Sequence, residues 1–465
     1  MVKLKIGFIP AHRQLMGEDF AVEMRKFYIK KLSKIKEIEL IYPDENLIKN
    51  GLVRNFEDSK KVINLFTQNR VDAIIIGALN YGDEKSVLTI VENFPNKPVF
   101  LFGTAEPEIP KNHFFVSASA CGILPISFGL KRRSIKFTYG GIAKLEDKKF
   151  DNKLDSFLRV VLAFKGFNNA RIGMIGSRQN DFEVCAVDEA LMISRYKQKI
   201  IHFNLLDIKY EIDAIPDSNF QVQEIVEDIL KSGRSDIEKK SLYKVAKLEY
   251  LILKYAEEFD LDAFTIQCWD SMQKYIGITP CMTNGRITKI GFPVACEGDV
   301  NNALAMLIQK NLTFGKATPM ILDILTIHPE KDNLILAWHC GNASIDNKER
   351  SQTAKIMYQC PWEDVFGKES AIASMEFGLK PGIVTLNSLV EHNGQFKLSN
   401  ITGKMVTSTD KIRGAWSWVE MKDRDKFYET LIYEGFTHHN SIIYGDLTLH
   451  VKELCKYLNM DCVVV

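Results

Sequence analysis

Apolar runs and stretches of helical period alternate through the first third of the chain. LKIGFIPA from Leu4, IELIYP from Ile38, VDAIIIGAL from Val71 and KPVFLFGT from Lys97 are short and dominated by apolar residues. Such runs read as strands buried on both faces. Between them, residues 19–35, 56–68 and 84–94 repeat apolar positions at intervals of three and four, the spacing of an amphipathic helix. Strands separated by helices of this length predict parallel βαβ units with both sheet faces covered.

The pattern then restarts. RIGMIGS from Arg171 echoes KIGFIPA from Lys5, and LDAFTIQCW from Leu261 echoes VDAIIIGAL. The clearest helix spans 235–259, with Ser235 and Asp236 expected as its N-cap. From about residue 316 the chain turns strand-rich: MILDILTIH, LILAWHC, GIVTLNSLVEH and QFKLSNITGKMV, with HNGQ as a turn between the last two. A helix, LHVKELCKYLN, and a strand, MDCVVV, close the sequence. The fold class expected is α/β: two Rossmann-like domains with mostly parallel sheets (1–165 and 166–300), then a strand-rich, antiparallel, barrel-like domain (301–465).

Composition narrows the partners. The 465 residues are 46% hydrophobic and 26% charged, which excludes a disordered chain. Lys and Arg total 60 against 59 Asp and Glu, a net charge of +1. Nucleic-acid affinity rests on clustered positive charge, and the short basic runs at 30–36 and 131–133 read as solvated helix faces. No apolar run approaches the ~20 residues of a membrane span, and the N-terminus carries no signal-peptide pattern. Nine scattered cysteines without a CxxC fit free thiols, and a cytoplasmic location is expected.

Familiar nucleotide and hydrolase fingerprints are missing: there is no GxGxxG, no GxxxxGK[ST] and no GxSxG. The glycine pair of YGGI at 139–142 reads as a turn. What remains is carboxylate and histidine chemistry. VACEGD brings Glu297 and Asp299 to the end of an apolar run, MILDIL holds Asp323, LILAWHCGN ends near His339, and GFTHHNSIIYGD carries His438 and His439. Each has a structural alternative. Asp323 could be a hydrogen-bonded interior acid, Glu297 and Asp299 could start the next helix, His339 could be a satisfied core histidine, and the histidine pair could be a surface turn. Together they suit a divalent cation, since a buried carboxylate is costly unless paired or metal-bound and carboxylate with imidazole favours Mn²⁺, Co²⁺, Fe²⁺ or Zn²⁺.

The ordered set ACEGDVNNALAM, MILDILTIH, LILAWHCGN and HHNSIIYGD resembles the L-fucose isomerase and L-arabinose isomerase superfamily. The intervals are 26 residues from Glu297 to Asp323 and 16 from Asp323 to His339. The opening KIGFIPAHRQLMGED resembles the fucose-isomerase start, where an Arg precedes Met-Gly. The resemblance implies a metal-dependent aldose–ketose isomerase acting on an open-chain sugar, such as L-fucose or L- or D-arabinose, through a cis-enediol. By it, Glu297 and Asp323 are metal ligands and the acid/base pair, His439 is the C-terminal metal histidine, and His339 is the extra metal histidine of the arabinose enzymes. Mn²⁺ is the first expectation for the metal. Arg13 would reach a neighbouring subunit's site, which implies a homo-oligomer, a trimer or hexamer. The segment GAWSWVEM matches neither branch closely.

Sugar hydroxyls need fixed hydrogen-bond partners, and sugar faces favour aromatic platforms. Gln267, Trp269, Asn342, His438, Asn440, Trp416 and Trp418 are the candidates. A non-catalytic sugar-binding or sensor protein, or another metal-dependent sugar lyase or dehydratase, are the competing readings.

Overall fold

A computed structural model describes residues 3–109 and 115–465. Its contacts divide into two compact units, Met1–Leu162 and Ala163–Val465. In the first, β1 (Leu4–Ala11), β2 (Ile38–Ile41), β3 (Ala73–Ala78), β4 (Val99–Thr104) and β5 (Phe137–Ala143) form one parallel sheet in the order β2-β1-β3-β4-β5. Every residue of β3 and β4 is buried, as their unbroken apolar runs require. Helices Glu18–Leu32, Phe56–Asn69 and Glu84–Val91 fall where the periodicity places them. Asn55 caps the second through the backbone N–H of Asp58, and Asp83 caps the third through Ser86. Gly140 and Gly141 correct an expectation: they lie inside β5, where its register against β4 slips, and Gly141 has φ 106°. The pair makes a bulge instead of a turn, because a Cβ at 140 would sit 2.5 Å from the Phe100 ring.

The second unit contains two sheets. β6 (Arg171–Ile175), β7 (Lys199–Phe203), β9 (Ala263–Ile266) and β10 (Val294–Cys296) are parallel, in the order β10-β9-β6-β7. The larger sheet is mixed and mostly antiparallel. Its strands are β8 (Arg234–Ser235), β11 (Met320–Ile327), β12 (Leu334–His339), β13 (Lys355–Tyr358), β14 (Ile372–Gly378), β15 (Gly382–Asn387), β16 (Leu389–His392), β17 (Gln395–Val406), β18 (Ala415–Glu420), β19 (His439–Tyr444) and β20 (Asp461–Val464). The path β17-β15-β19-β11-β12-β18 returns to its start, because β17 also pairs with β18. Leu322, Ile335, Ala337, Leu386, Ile401, Met405 and Ile442 are buried in one core. The helix Val300–Leu312 packs against β9, β10 and β19, so it joins the two sheets.

Two local expectations shift. The long amphipathic helix starts at Lys239, and neither Ser235 nor Asp236 caps it. Residues 234–235 instead form β8 and pair with β13, and the Ser235 hydroxyl bonds the backbone of Ile237. A helix at Arg424–Glu434 interrupts the strand-rich region, buries only Phe427 and Leu431, and so left a weak periodic signal. HNGQ is a tight hairpin turn between β16 and β17, with Asn393 and Gly394 both at positive φ. Among the described residues no helix is long and apolar enough to cross a membrane.

Candidate active site

The site is built where β10 hands over to the helix Val300–Leu312. After Cys296 the chain turns through Glu297 and Gly298, with φ of 63° and 73°. A Cβ on residue 298 would lie 2.7 Å from the Arg178 Cα, so only glycine fits there. Glu297 has no such excuse; a non-glycine residue in this region costs of order 1–3 kcal/mol, and such strain clusters at functional sites. Asp299 follows as the helix N-cap, its Oδ1 accepting from the Asn302 N–H at 2.8 Å.

His439 opens β19 and lies opposite Asp323 of β11 in the antiparallel ladder. Its Nδ1 is 2.8 Å from Asp299 Oδ2, its Nε2 is 2.9 Å from Glu297 Oε2, and Nε2 is 3.7 Å from Asp323 Oδ1. The Asp299 carboxylate accepts a hydrogen bond from Nδ1–H, so that in the neutral ring the lone pair is on Nε2, facing Glu297 and Asp323. The Trp269 indole N–H donates to the other Glu297 oxygen at 3.2 Å.

Burial works against charge on Glu297. The His439 ring, 2.9 Å away, is the chief influence that outweighs it and holds the carboxyl at about 2. Burial likewise opposes the His439 imidazolium, and Asp299, ahead of Cys185 and the nearby Glu297, overcomes it and raises its pKa well above the usual value, so a cation at Nε2 would have to displace a proton there. His438 is lowered, by burial first and then by its charged neighbour. The Cys185 thiol is pushed up to about 11 by burial, so it remains a neutral contact 4.0 Å from His439.

Among the described residues, Glu297 Oε2, Asp323 Oδ1, His439 Nε2 and His339 Nε2 are buried and find no hydrogen-bond partner; His439 Nε2 and Glu297 Oε2 stand at ion-pair distance without hydrogen-bond geometry. Buried polar atoms are almost always paired, and unpaired carboxylate oxygens the more so. Two carboxylates and an imidazole lone pair converging in this way are a donor set for a divalent cation. The ligand atoms of Asp323, His438 and His439 also lie within 4.8 Å of one another, as do those of Cys185, Asp299 and His439. The latter trio uses the Nδ1 that Asp299 already holds.

The sugar-contact candidates fall into three groups. Trp269 reaches Glu297, and the Phe182 ring stands edge-on to Trp269, His438 and His439 at 5.3, 5.7 and 5.9 Å. Asn342 and Asn440 are buried, Asn342 with both amide atoms unpaired and Asn440 with its Oδ1 unpaired. Gln267 accepts from the Ser177 N–H at 3.1 Å and so secures the loop that packs on Gly298. Trp416 belongs to a cross-strand row, Trp416–Trp338–Asp323–His439, in which each residue is the register partner of the next. Trp418 lies two residues further along β18 and spends its indole N–H on Asp410 at 2.7 Å. Arg13 follows β1 in the first unit, where it bonds the Gly82 carbonyl, pairs with Glu84 and stacks over Tyr81.

Sequence reasoning did not single out Trp338, Phe182 or the orienting role of Asp299. The signal for Trp338 was its place beside His339 in LILAWHCGN; Phe182 sits in an irregular loop and had none.

A carboxylate pair and an oriented histidine between a parallel sheet and a mixed sheet are groups suited to moving a proton on a sugar, and the comparisons give the class: a sugar isomerase. Residues 7–168 match the fucose/sulfoquinovose isomerase N-terminal domain, and residues 337–465 match the L-fucose isomerase C-terminal domain. The chain belongs to the fucose isomerase family and is an aldose–ketose isomerase. It is 24% identical to a sulfoquinovose isomerase of Priestia aryabhattai over 88% of this chain and 89% of that one. It is 23% identical to a sulfoquinovose isomerase of Alkalicoccus urumqiensis over 85% and 86% of the two chains.

Proposed function

We propose that this enzyme is a divalent-cation-dependent isomerase of an open-chain aldose, with sulfoquinovose as the first candidate substrate and L-fucose and the arabinoses as the next. The observation that carries the cation is the convergence of buried, unpaired Glu297 Oε2, Asp323 Oδ1 and His439 Nε2. Mn²⁺ is the preferred ion on donor chemistry, with Co²⁺, Fe²⁺ and Zn²⁺ as competitors. The names of the aligned relatives support sulfoquinovose. Arg178, exposed on the loop against Gly298, is a cation beside the site that suits an anionic sugar substituent.

Aldose–ketose interconversion moves a proton between C2 and C1 through a cis-enediol. A bound cation would supply Lewis-acid stabilisation of the oxygens at those carbons. Glu297 and Asp323 stand as the pair that removes and returns the proton, a contribution of ~10²–10⁴-fold for general acid–base groups. Trp269 fixes the Glu297 carboxylate through Oε1, leaving Oε2 unpaired for the cation. Trp338 and Trp416 extend the row beside Asp323 as an apolar platform for a sugar face. An assay of sulfoquinovose, L-fucose, L-arabinose and D-arabinose with each metal tests the reading. Ketose formation from sulfoquinovose is expected; absence of turnover on every sugar contradicts it.

A further inference from the structure

The two buried histidines at the site hold their rings in opposite ways. His439 donates its Nδ1 proton to the Asp299 carboxylate at 2.8 Å, so its Nε2 carries a lone pair. At His339 the backbone N–H of Cys340 donates to Nδ1 at 2.9 Å. An Nδ1 that accepts has no proton of its own, so the neutral ring carries its proton on Nε2. A nitrogen bearing a proton has no lone pair for a metal.

His339 Nε2 is buried and unpaired, and its residue is only 1% exposed. Its chain neighbour Trp338 is the register partner of Asp323, and the charges of Asp323 and Glu297 bear on the ring. Asp323 Oδ1 is itself unpaired, so no direct bond joins it to His339. Trp338 lies parallel to the His339 ring, at 6.4 Å between centroids and 6° between planes. The Nε2–H group is therefore a fixed donor in the acid cluster without an acceptor among the described residues.

We propose that His339 is a hydrogen-bond donor to a substrate oxygen at the reacting end of the sugar, and that it does not ligate the cation. This inference rests on the cation reading above. In its role, Nε2–H stabilises negative charge as it develops on a C1 or C2 oxygen, while Glu297, Asp323 and His439 Nε2 make up the protein's ligands. Removing a donor aimed at developing charge costs ~10²–10³ in rate.

The test is the Mn²⁺-loaded wild-type protein, examined by electron spin echo envelope modulation for directly coordinated ¹⁴N. One coupled imidazole nitrogen is expected; two overturn the proposal while leaving the cation reading intact. Failure of wild type to bind Mn²⁺ at all removes the cation reading, and this one with it. His339→Leu and His339→Gln add a second readout. Both are expected to bind Mn²⁺ within about threefold of wild type, with kcat/KM down by ~10²-fold or more in His339→Leu and partly restored in His339→Gln, whose amide keeps a donor. A fall of tenfold or more in Mn²⁺ affinity, or unchanged kcat/KM in His339→Leu, overturns it. Should the variants misfold, the wild-type spectrum alone decides.

Discussion

Asp299 holds His439 with one oxygen and the start of the helix Val300–Leu312 with the other, at 2.8 Å in each case. One carboxylate thus sets the tautomer of the imidazole proposed to face the cation and ties it to a rigid element. Asp299→Asn separates the two functions. The amide oxygen keeps the cap, which forces the NH₂ group toward His439 Nδ1 and moves the ring proton to Nε2. Mn²⁺ affinity is expected to fall ~10–100-fold, as for other partners of metal-bound histidines. Thermal stability is expected to stay close to wild type, because Asn caps as well as Asp. Calorimetric titration and a melting curve check both halves.

Glu297 is expected to be indispensable to proton transfer. Glu297→Gln keeps the size of the side chain and a donor–acceptor pair for Trp269, but removes the base. The expectation is a fall in kcat/KM of ~10³-fold or more, combining general-base and cation-binding losses. Exchange of the sugar C2 hydrogen with D₂O, followed by proton NMR, should fall in parallel. Exchange at the wild-type rate would remove Glu297 from the reaction.

The tryptophans divide by position on the sheet. Trp338 and Trp416 share the row of Asp323 and His439, whereas Trp418 is committed to Asp410 and lies over His328. Trp338→Ala is expected to raise KM at least tenfold, with a smaller change in kcat, because a platform acts on ground state and transition state alike. Trp418→Phe is expected to leave both within about twofold. Steady-state kinetics on the preferred sugar distinguishes them.

Stability has its own test away from the site. Glu249 is buried and forks onto Arg286 at 2.7 and 3.1 Å, and burial still leaves its pKa raised. Arg286→Met strands that carboxylate and is expected to cost about 3 kcal/mol at neutral pH. The loss has a definite pH sign. With the partner gone, the folded-state pKa of Glu249 rises further above its unfolded value. The folded state then binds more protons than the unfolded state between those two values, so stability is regained as pH falls through that window. Denaturant melts from pH 7 toward pH 5 read this directly, and the double variant Arg286→Met, Glu249→Leu is expected to recover most of the loss.

Much of this was legible in the sequence, for identifiable reasons. β3 and β4 are buried end to end and so announce themselves as apolar runs. Glu297 and His439 sit at strand ends and Asp323 in the middle of β11, each in an apolar context, which is why their motifs stand out. What was not legible depends on pairing. The β8–β13 ladder takes Ser235 out of its helix, and the β4–β5 slip turns a glycine pair into a bulge. The opposite ring orientations of His339 and His439 are set by one backbone N–H and one carboxylate 140 residues away, and neither is written in local pattern. The row that joins Trp416 to His439 needs the register of four strands.

Glu297, Asp323 and His439 are proposed to hold a divalent cation on which isomerisation depends. The most direct measurement is turnover of sulfoquinovose by protein stripped with chelator and then titrated with Mn²⁺, with bound metal quantified in the same samples. Turnover is expected to vanish with the metal and to return in proportion to it, saturating at about one ion per chain. Full turnover in protein shown to be free of metal would contradict it.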